Sequence, residues 1–372
     1  MTLLFILIFL GTGLAVAGLI TLRWTAMTEV PAWGRVLITC GIAAVFMSPF
    51  CLQHLPAAFN GTGPKIFTTM AYFGFVCVFL FFCLMIARDV VWIGLGWLMP
   101  QGASPFNPGA VMRANVGLLI AVILMSGYAL WAGTRVPMVR ELTLASDKVD
   151  NPLTIAVLPD IHIHRFISPD KLAGIVARTN ALKPDAILLP GDIIDDTRET
   201  VADPAQYLSG FRAPLGVFAT DGNHEIYVGP NMAHHLFQEN HITYLHNDSR
   251  QVRPDVIIAG VPDIQSTRLH RPPDMAQALP AGTAFKILLA HSPKMFDMPG
   301  NTADLQVSGH THGGQIFPFH FLAWLSNKYL AGLYRRGNRT LYVSRGAGQW
   351  GPQMRLLAPS EITLIHIMPA TK

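Results

Sequence analysis

Charge is scarce in this sequence: 13% of its 372 residues are Asp, Glu, Lys or Arg, against 51% hydrophobic. That balance excludes an ordinary soluble chain. The scarcity is local, because 8 Lys/Arg and 5 Asp/Glu fall within the first 150 residues, leaving 19 and 18 for the remainder. The remainder has no basic tail or stripe, so no nucleic-acid partner is expected of it. It also has no cysteine: Cys40, Cys51, Cys77 and Cys83 all lie in the apolar third. They read as small apolar residues rather than a disulfide framework, and the second part has no thiolate to offer a metal.

What is present, first, is long apolar runs. Leu3 to Leu22, Val36 to Leu52, Ile66 to Ala87 and Val116 to Ala132 each come close to the ~20 residues a spanning helix needs. Ala15-Val16-Ala17 looks like a signal-peptidase site, but no basic stretch precedes it and further spans follow, so the first run reads as an anchor. Arg88-Asp89 reads as a salt-bridged helix end, and Val90 to Met99 after it as an interfacial or re-entrant stretch. Residues 1–133 are therefore expected to be a transmembrane module of four helices in a cell or inner membrane. Loop basic residues divide four against four; discounting Arg88 as paired leans the C-terminal domain towards the cytoplasm. Residues 134–150 carry charge and Pro137 and read as a linker.

From residue 151 the order becomes strand, polar residue, helix or loop, strand. Leu153–Leu158, Ala186–Leu189, Gly216–Ala219, Val256–Ala259, Phe285–Ala290, Leu305–Val307, Thr340–Ser344 and Ile362–Ile367 read as strands. Ser168-Pro169 opens a helix whose buried face is Leu172, Ile175, Val176 and Leu182. Such an order implies a layered α/β domain with its site beyond the strand ends. The polar residues stand in those terminal loops: Asp160 and His162, Asp192, Asn223, His291, and His310 and His312 framed by Gly309, Gly313 and Gly314. Residues two apart in extended chain face the same side, so each pair can reach one centre. Asp192 follows a glycine and has two oxygens with which to bridge. Seven oxygen and nitrogen donors suit a two-metal centre of the kind that clamps both oxygens of a phosphoryl displacement, with a bridging hydroxide as nucleophile. His224, beside a donor but not needed as one, is placed to protonate the leaving group or to stabilise the phosphoryl oxygens. Oxygen and imidazole ligands suit divalent Mn, Fe, Zn or Co, and Mn²⁺ is favoured.

Asp160-Ile-His162, Gly191-Asp192, Gly222-Asn-His224-Glu225, His291 and Gly309-His-Thr-His312, in this order, resemble the calcineurin-like metallophosphoesterase superfamily. The Gly-His-Thr-His-Gly-Gly-Gln form and Tyr342-Val-Ser-Arg345-Gly are similar to its bacterial membrane-associated branch. The resemblance covers about Leu153 to Ile367. It implies a two-sheet sandwich flanked by helices over 151–372 and a phosphoric ester hydrolase. It also implies that Asp160, His162, Asp192 and His312 hold one metal, and Asp192, Asn223, His291 and His310 the other. Pro159, where the family commonly has serine, is a departure; so is the polytopic N-terminus.

Some residues keep a second reading. Arg345 and Arg355 are phosphate clamps or structural ion-pair residues. His234-His235, after Pro230, read as structural; His164 as surface or supporting; Asp195 and Asp196 as solvated, or as holding the loop around Asp192. Ile316 to Leu325 is apolar and aromatic directly after the metal loop, with Lys328, Arg335, Arg336 and Arg339 behind it, and reads as an interfacial lid that meets the lipid bilayer or as a core-packing insertion with a solvated basic edge. The expected activity is a membrane-anchored, two-metal hydrolysis of phosphodiester or pyrophosphate bonds in a phosphorylated small molecule or lipid. The alternatives are a receptor or transporter subunit with a regulatory, non-catalytic domain, and a tethered nuclease, which the balanced charge argues against.

Overall fold

The computed structural model describes residues 3–25, 29–52, 61–98 and 108–370. They divide into two compact units, one running through Leu130 with Gly351–Gln353, the other comprising Trp131–Trp350 and Met354 onward.

The first unit is helical: α1 (Leu3–Thr25), α2 (Ala32–Leu52), α3 (Thr62–Leu98) and α4 (Pro108–Thr134). All four are long and apolar enough to cross a membrane. The helix end expected at Arg88-Asp89, with an interfacial or re-entrant stretch beginning after it, is not formed. Helix α3 runs unbroken through Arg88 and Asp89 to Leu98, and Met99 lies outside the described residues. The charges do not end the helix because they are met sideways. Asp89 pairs with Arg88 at 2.6 Å and with Arg23 of α1 at 2.9 Å, and Arg88 Nη1 donates to Asn115 Oδ1 of α4 at 2.5 Å. At 37 residues α3 is roughly 55 Å long, well beyond a ~30 Å hydrocarbon layer.

The second unit is an α/β sandwich of two six-stranded mixed sheets. Its elements run β1 (Met138–Ser146), β2 (Leu153–Val157), α5 (Pro169–Ala181), β3 (Ala186–Pro190), α6 (Arg198–Ala205), β4 (Val217–Thr220), α7 (Asn223–Val228), α8 (Pro230–Glu239), β5 (Thr243–Tyr244), β6 (Asp248–Arg253), β7 (Val256–Gly260), α9 (Met275–Ala278), β8 (Phe285–Leu289), β9 (Leu305–Ser308), α10 (Phe319–Asn327), β10 (Gly332–Arg336), β11 (Arg339–Val343) and β12 (Glu361–Pro369). One sheet is ordered β1-β12-β2-β3-β4-β5, the other β10-β11-β9-β8-β7-β6.

Alternation along the strands builds the layers. Ile155 and Val157 of β2 point into the layer shared with Ile287, Val307 and Tyr342 of the other sheet. Ala156 and Leu158 point the other way, against Leu172 and Ile175 of α5 and Leu236 and Phe237 of α8. Both faces are covered, which is why these strands read as continuous apolar runs. Strands β2, β3 and β4 are mutually parallel, and so are β7, β8 and β9. Each sheet therefore sends its loops out from one set of carboxyl ends. Part of the expected linker is a strand: β1 pairs with β12 in parallel register from Met138↔Glu361 to Ser146↔Pro369. Its charged residues sit on an edge strand that water can reach, so they do not prevent pairing.

Candidate metal centre

Every expected donor stands within a few residues of a parallel strand's carboxyl end. Asp160 and His162 follow β2, Asp192 follows β3, Asn223 and His224 follow β4, His291 follows β8, and His310 and His312 follow β9. The backbone bends sharply to deliver them. Asp160, His162, Asp192, His310 and His312 have φ of 56, 51, 54, 72 and 50°. Left-handed backbone costs an L-residue on the order of 1–2 kcal/mol, so five non-glycine residues held there signal a loop set fixed by its surroundings. Two glycines make room behind the carboxylates: a Cβ at Gly222 would overlap Asp192 Oδ1, and one at Gly309 would overlap Asp160 Oδ2.

Three groups of side chains come close enough to hold an ion, with donor atoms within 4.8 Å of one another: Asp160, His162 and His312; Asp192, His291 and His310; and His162, Asp195 and His224. Asp192 Oδ2 lies between the first two, 3.0 Å from His291 Nε2 and 3.8 Å from His162 Nε2. His162 Nε2 and His312 Nε2 face each other at 3.1 Å. His310 Nδ1 is 2.9 Å from Asn223 Oδ1 and 3.2 Å from His291 Nε2.

The partners behind the rings decide which nitrogen faces inward. His162 Nδ1 donates to Asp195 Oδ2 at 3.2 Å, and His291 Nδ1 to the Pro190 carbonyl at 3.0 Å. Carboxylates and carbonyls only accept, so both inner Nε2 atoms are left to bind. Inward-facing imidazole nitrogens, two buried carboxylates and an amide oxygen fit divalent cations.

Electrostatics separate the two carboxyls. Burial raises the Asp160 pKa against the opposing pull of His291. Burial also works against Asp192, but His291, His224 and His162 outweigh it and hold that carboxyl well below the usual range. His291 answers in kind: burial opposes its charge, and the Asp192 and Asp160 carboxylates still raise it to about 10. His310 is lowered to about 3 by burial and by His291. His224 is raised to about 9, because the carboxylates of Asp195 and Asp192 exceed the cost of its burial.

Two residues bring more than the sequence reading gave them. Asp195, read there as solvated or loop-holding, bonds the rings of both His162 and His224 at Nδ1 and so fixes two imidazoles at once. Its signal was its place three residues beyond Asp192 in one loop. Glu225 is buried and accepts the backbone N–H groups of Asp192, Ile193, Ile194 and Gly222 at 2.7–2.8 Å, pinning the β3 loop to α7.

Arg355, read as a phosphate clamp or a structural ion-pair residue, is 1% exposed and bonds main-chain carbonyls. Its Nη1 donates to the carbonyls of His312, Arg345 and Ala358, its Nη2 to that of Gly348, and Nη2 also lies 3.2 Å from His312 Nδ1. It is a strut behind the metal loop. Arg345 is 26% exposed and pairs with Glu361 Oε2 at 3.0 Å. Asp196 pairs with Arg165 at 2.7 Å, His234 stacks on Tyr244, and His164 Nδ1 accepts the N–H of Phe166.

Known proteins place this geometry. The sequence profile of the calcineurin-like phosphoesterases matches residues 153–314. A metallophosphoesterase of Helicobacter pylori (strain ATCC 700392 / 26695), itself uncharacterized, is 34% identical over 261 residues, spanning 68% of this chain and 70% of that protein. A transmembrane protein with metallophosphoesterase domain from Danio rerio is 30% identical over 357 residues, 90% of this chain and 80% of that one. Its namesake from Bos taurus is 28% identical over 362 residues, 90% and 81%. The matched span contains every one of the converging donors, and the chain belongs to the calcineurin-like metallophosphoesterase family.

Proposed function

We propose that this protein is a membrane-anchored phosphoesterase that hydrolyses phosphodiester or pyrophosphate bonds at a two-metal centre, with Mn²⁺ the favoured ion. Asp160, His162, Asp192 and His312 would hold one cation, and Asp192, Asn223, His291 and His310 the other. The observation that carries this reading is the position of Asp192 Oδ2 between a ring of the first group and a ring of the second. Two such cations supply an acidified water and neutralise charge on the phosphoryl group. The chain's own residues do the rest. Asp160, Asp192 and the inner ring nitrogens fix where the phosphoryl group sits. His224, tied by Nδ1 to Asp195 with Nε2 4.0 Å from Asp192 Oδ2, would deliver a proton to the leaving oxygen. Turnover of a phosphodiester panel by the full chain, abolished by chelation and restored by Mn²⁺, tests the reading. Tight metal binding with no turnover on any phosphoester would favour a regulatory domain instead.

The finer reading is a lipid-linked substrate. Helix α10 begins four residues after Gln315 and exposes Phe319, Phe321, Leu322, Trp324 and Leu325, burying only Ala323 and Asn327. A helix apolar nearly all round belongs in an apolar phase, and a chain with four membrane-crossing helices has a bilayer at hand. Exposed Lys328 and Arg336 close its far end, beside Asp297. Replacing Phe319, Phe321 and Trp324 with Ser should depress turnover of a lipid phosphoester in mixed micelles and spare a water-soluble diester. Equal loss on both would return the helix to a packing role.

A further inference from the structure

The ring of His224 is screened from solvent by two aromatic side chains that are themselves left uncovered. Tyr227, three residues on in α7, sets its ring against the imidazole at 5.5 Å and 64°. Trp350 does the same at 6.0 Å and 65°. The imidazole is 14% exposed, whereas Tyr227 is 60% and Trp350 52% exposed. A leaving group that reaches His224 from the side of these two rings lies against one or both of them.

The placement of Trp350 is not loose. Its backbone N–H donates to Gln315 Oε1 at 3.1 Å, and its carbonyl accepts from Gln315 Nε2 at 2.8 Å. Gln315 stands three residues after His312, so the backbone of Trp350 is indexed to the metal loop by a reciprocal pair of bonds. The adjoining strip continues the apolar surface. Leu356 N–H donates to the Gln315 carbonyl, and Phe317 N–H to the Leu356 carbonyl. Leu357, 68% exposed, sits at φ 60°, a conformation that leucine adopts only at a cost. Its carbonyl faces His320 Nε2 of α10 at 3.4 Å, and the next residue of that helix, Phe321, is exposed.

We infer that Tyr227 and Trp350 form the leaving-group subsite and select an apolar alcohol, whose oxygen meets His224 Nε2 while its hydrocarbon runs from the two rings over Leu357 towards α10. The inference deepens the hydrolytic reading and rests on it for the role of His224. Aromatic faces favour C–H contact, and neither ring brings a cation to meet a second phosphate. Of the two bond types proposed above, the rim thus selects the ester of an apolar alcohol over the pyrophosphate. No bond is made or broken by the two rings; the alcohol leaves carrying the proton of His224.

The test separates binding from turnover. Alkylphosphonic acids from methyl to octyl, whose P–C bond resists hydrolysis, are titrated calorimetrically into the full chain with Mn²⁺ in nanodiscs, against empty nanodiscs. Affinity should rise with chain length, by about tenfold or more from methyl to octyl, as expected for methylenes lying against a half-covered apolar surface. In Tyr227→Ser/Trp350→Ser the dependence should flatten, and Tyr227→Phe/Trp350→Phe should restore it; unfolding temperature and metal content confirm that each variant is intact. A flat series in the parent protein, or an unchanged slope in the serine variant, overturns the inference. Dialkyl phosphates left intact by a protein that shows the slope would refute the hydrolytic reading alone. Turnover without any chain-length preference would refute the subsite alone.

Discussion

Asp160 and Asp192 invite comparison. Both are buried, both follow a strand of the same sheet, and both stand in left-handed backbone at φ 56 and 54°. Asp160 takes its polar contacts from the main chain, with both oxygens near the N–H of His310 at 3.0 and 3.1 Å, and burial raises its pKa. Asp192 lies among imidazoles drawn from both sheets, and His291, His224 and His162 hold it ionised. One carboxylate is organised by backbone, and the pull of His291 does not offset its burial. The other is compensated in advance and, in the proposed centre, would join the two metal-holding halves. Identical chemistry and matching backbone therefore produce unlike roles, decided by which side chains the second sheet brings up.

The largest effect expected breaks the symmetry at its centre. Asp192→Asn should lower kcat/KM on the order of 10³-fold or more, about 4 kcal/mol of barrier, with the domain still folded and metal lost from both halves. Asp160→Asn should empty one half and leave a cation in the other. Elemental analysis of the two purified variants decides the matter, and equal metal content in both would end the distinction.

Next come the residues that serve the Asp192 side without holding metal. His224→Ala should reduce kcat by roughly 10²–10⁴-fold, and by less when the leaving group is nitrophenolate, which needs no proton. Asp195→Asn leaves the imidazole in place but weakens its anchor and that of His162, so a loss of roughly 10–100-fold is expected. Equal losses on good and poor leaving groups would assign His224 to phosphate binding instead.

The smallest effect probes the packing behind the Asp160 side. Lys171 is buried and donates from Nζ to the Gly133 carbonyl at 2.7 Å and to Gln349 Oε1 at 2.5 Å. Burial, reinforced by Arg355, lowers its pKa from 10.5 to about 7. Below pH 7 the amine is charged in both folded and unfolded states, and the burial cost is fully present. Between pH 7 and 10.5 the folded state has released the proton and the unfolded state keeps it, so stability rises with pH. Lys171→Met should abolish that rise in thermal unfolding of the full chain; a parallel pH profile in the variant would contradict it.

Much of the second unit was legible because strands buried on both faces appear as apolar runs that stop at a donor. The donors stood out as a set, because Asp or Asn alone at a strand end can simply close a turn, whereas seven donors recurring at successive strand ends imply a shared centre. What stayed hidden was set by distant partners. Arg140 and Glu141 made β1 look like linker, since an edge strand facing water has the composition of a loop. Arg88-Asp89 suggested a helix end because Arg23 and Asn115, which meet the pair, lie far away in sequence. Arg355 gave no sign that four carbonyls would surround it, and the two imidazoles that Asp195 holds come from separate strands.

The glycines behind the carboxylates carry a consequence for heredity. Gly222 and Gly309 contribute no functional group, yet a single added carbon at either would displace Asp192 or Asp160. The stretch of gene whose alteration would silence the proposed activity is therefore larger than the roster of expected donors. A screen for inactive alleles should recover glycine-to-alanine changes at these two codons as readily as losses of the ligands themselves, in proteins that still reach the membrane at normal abundance.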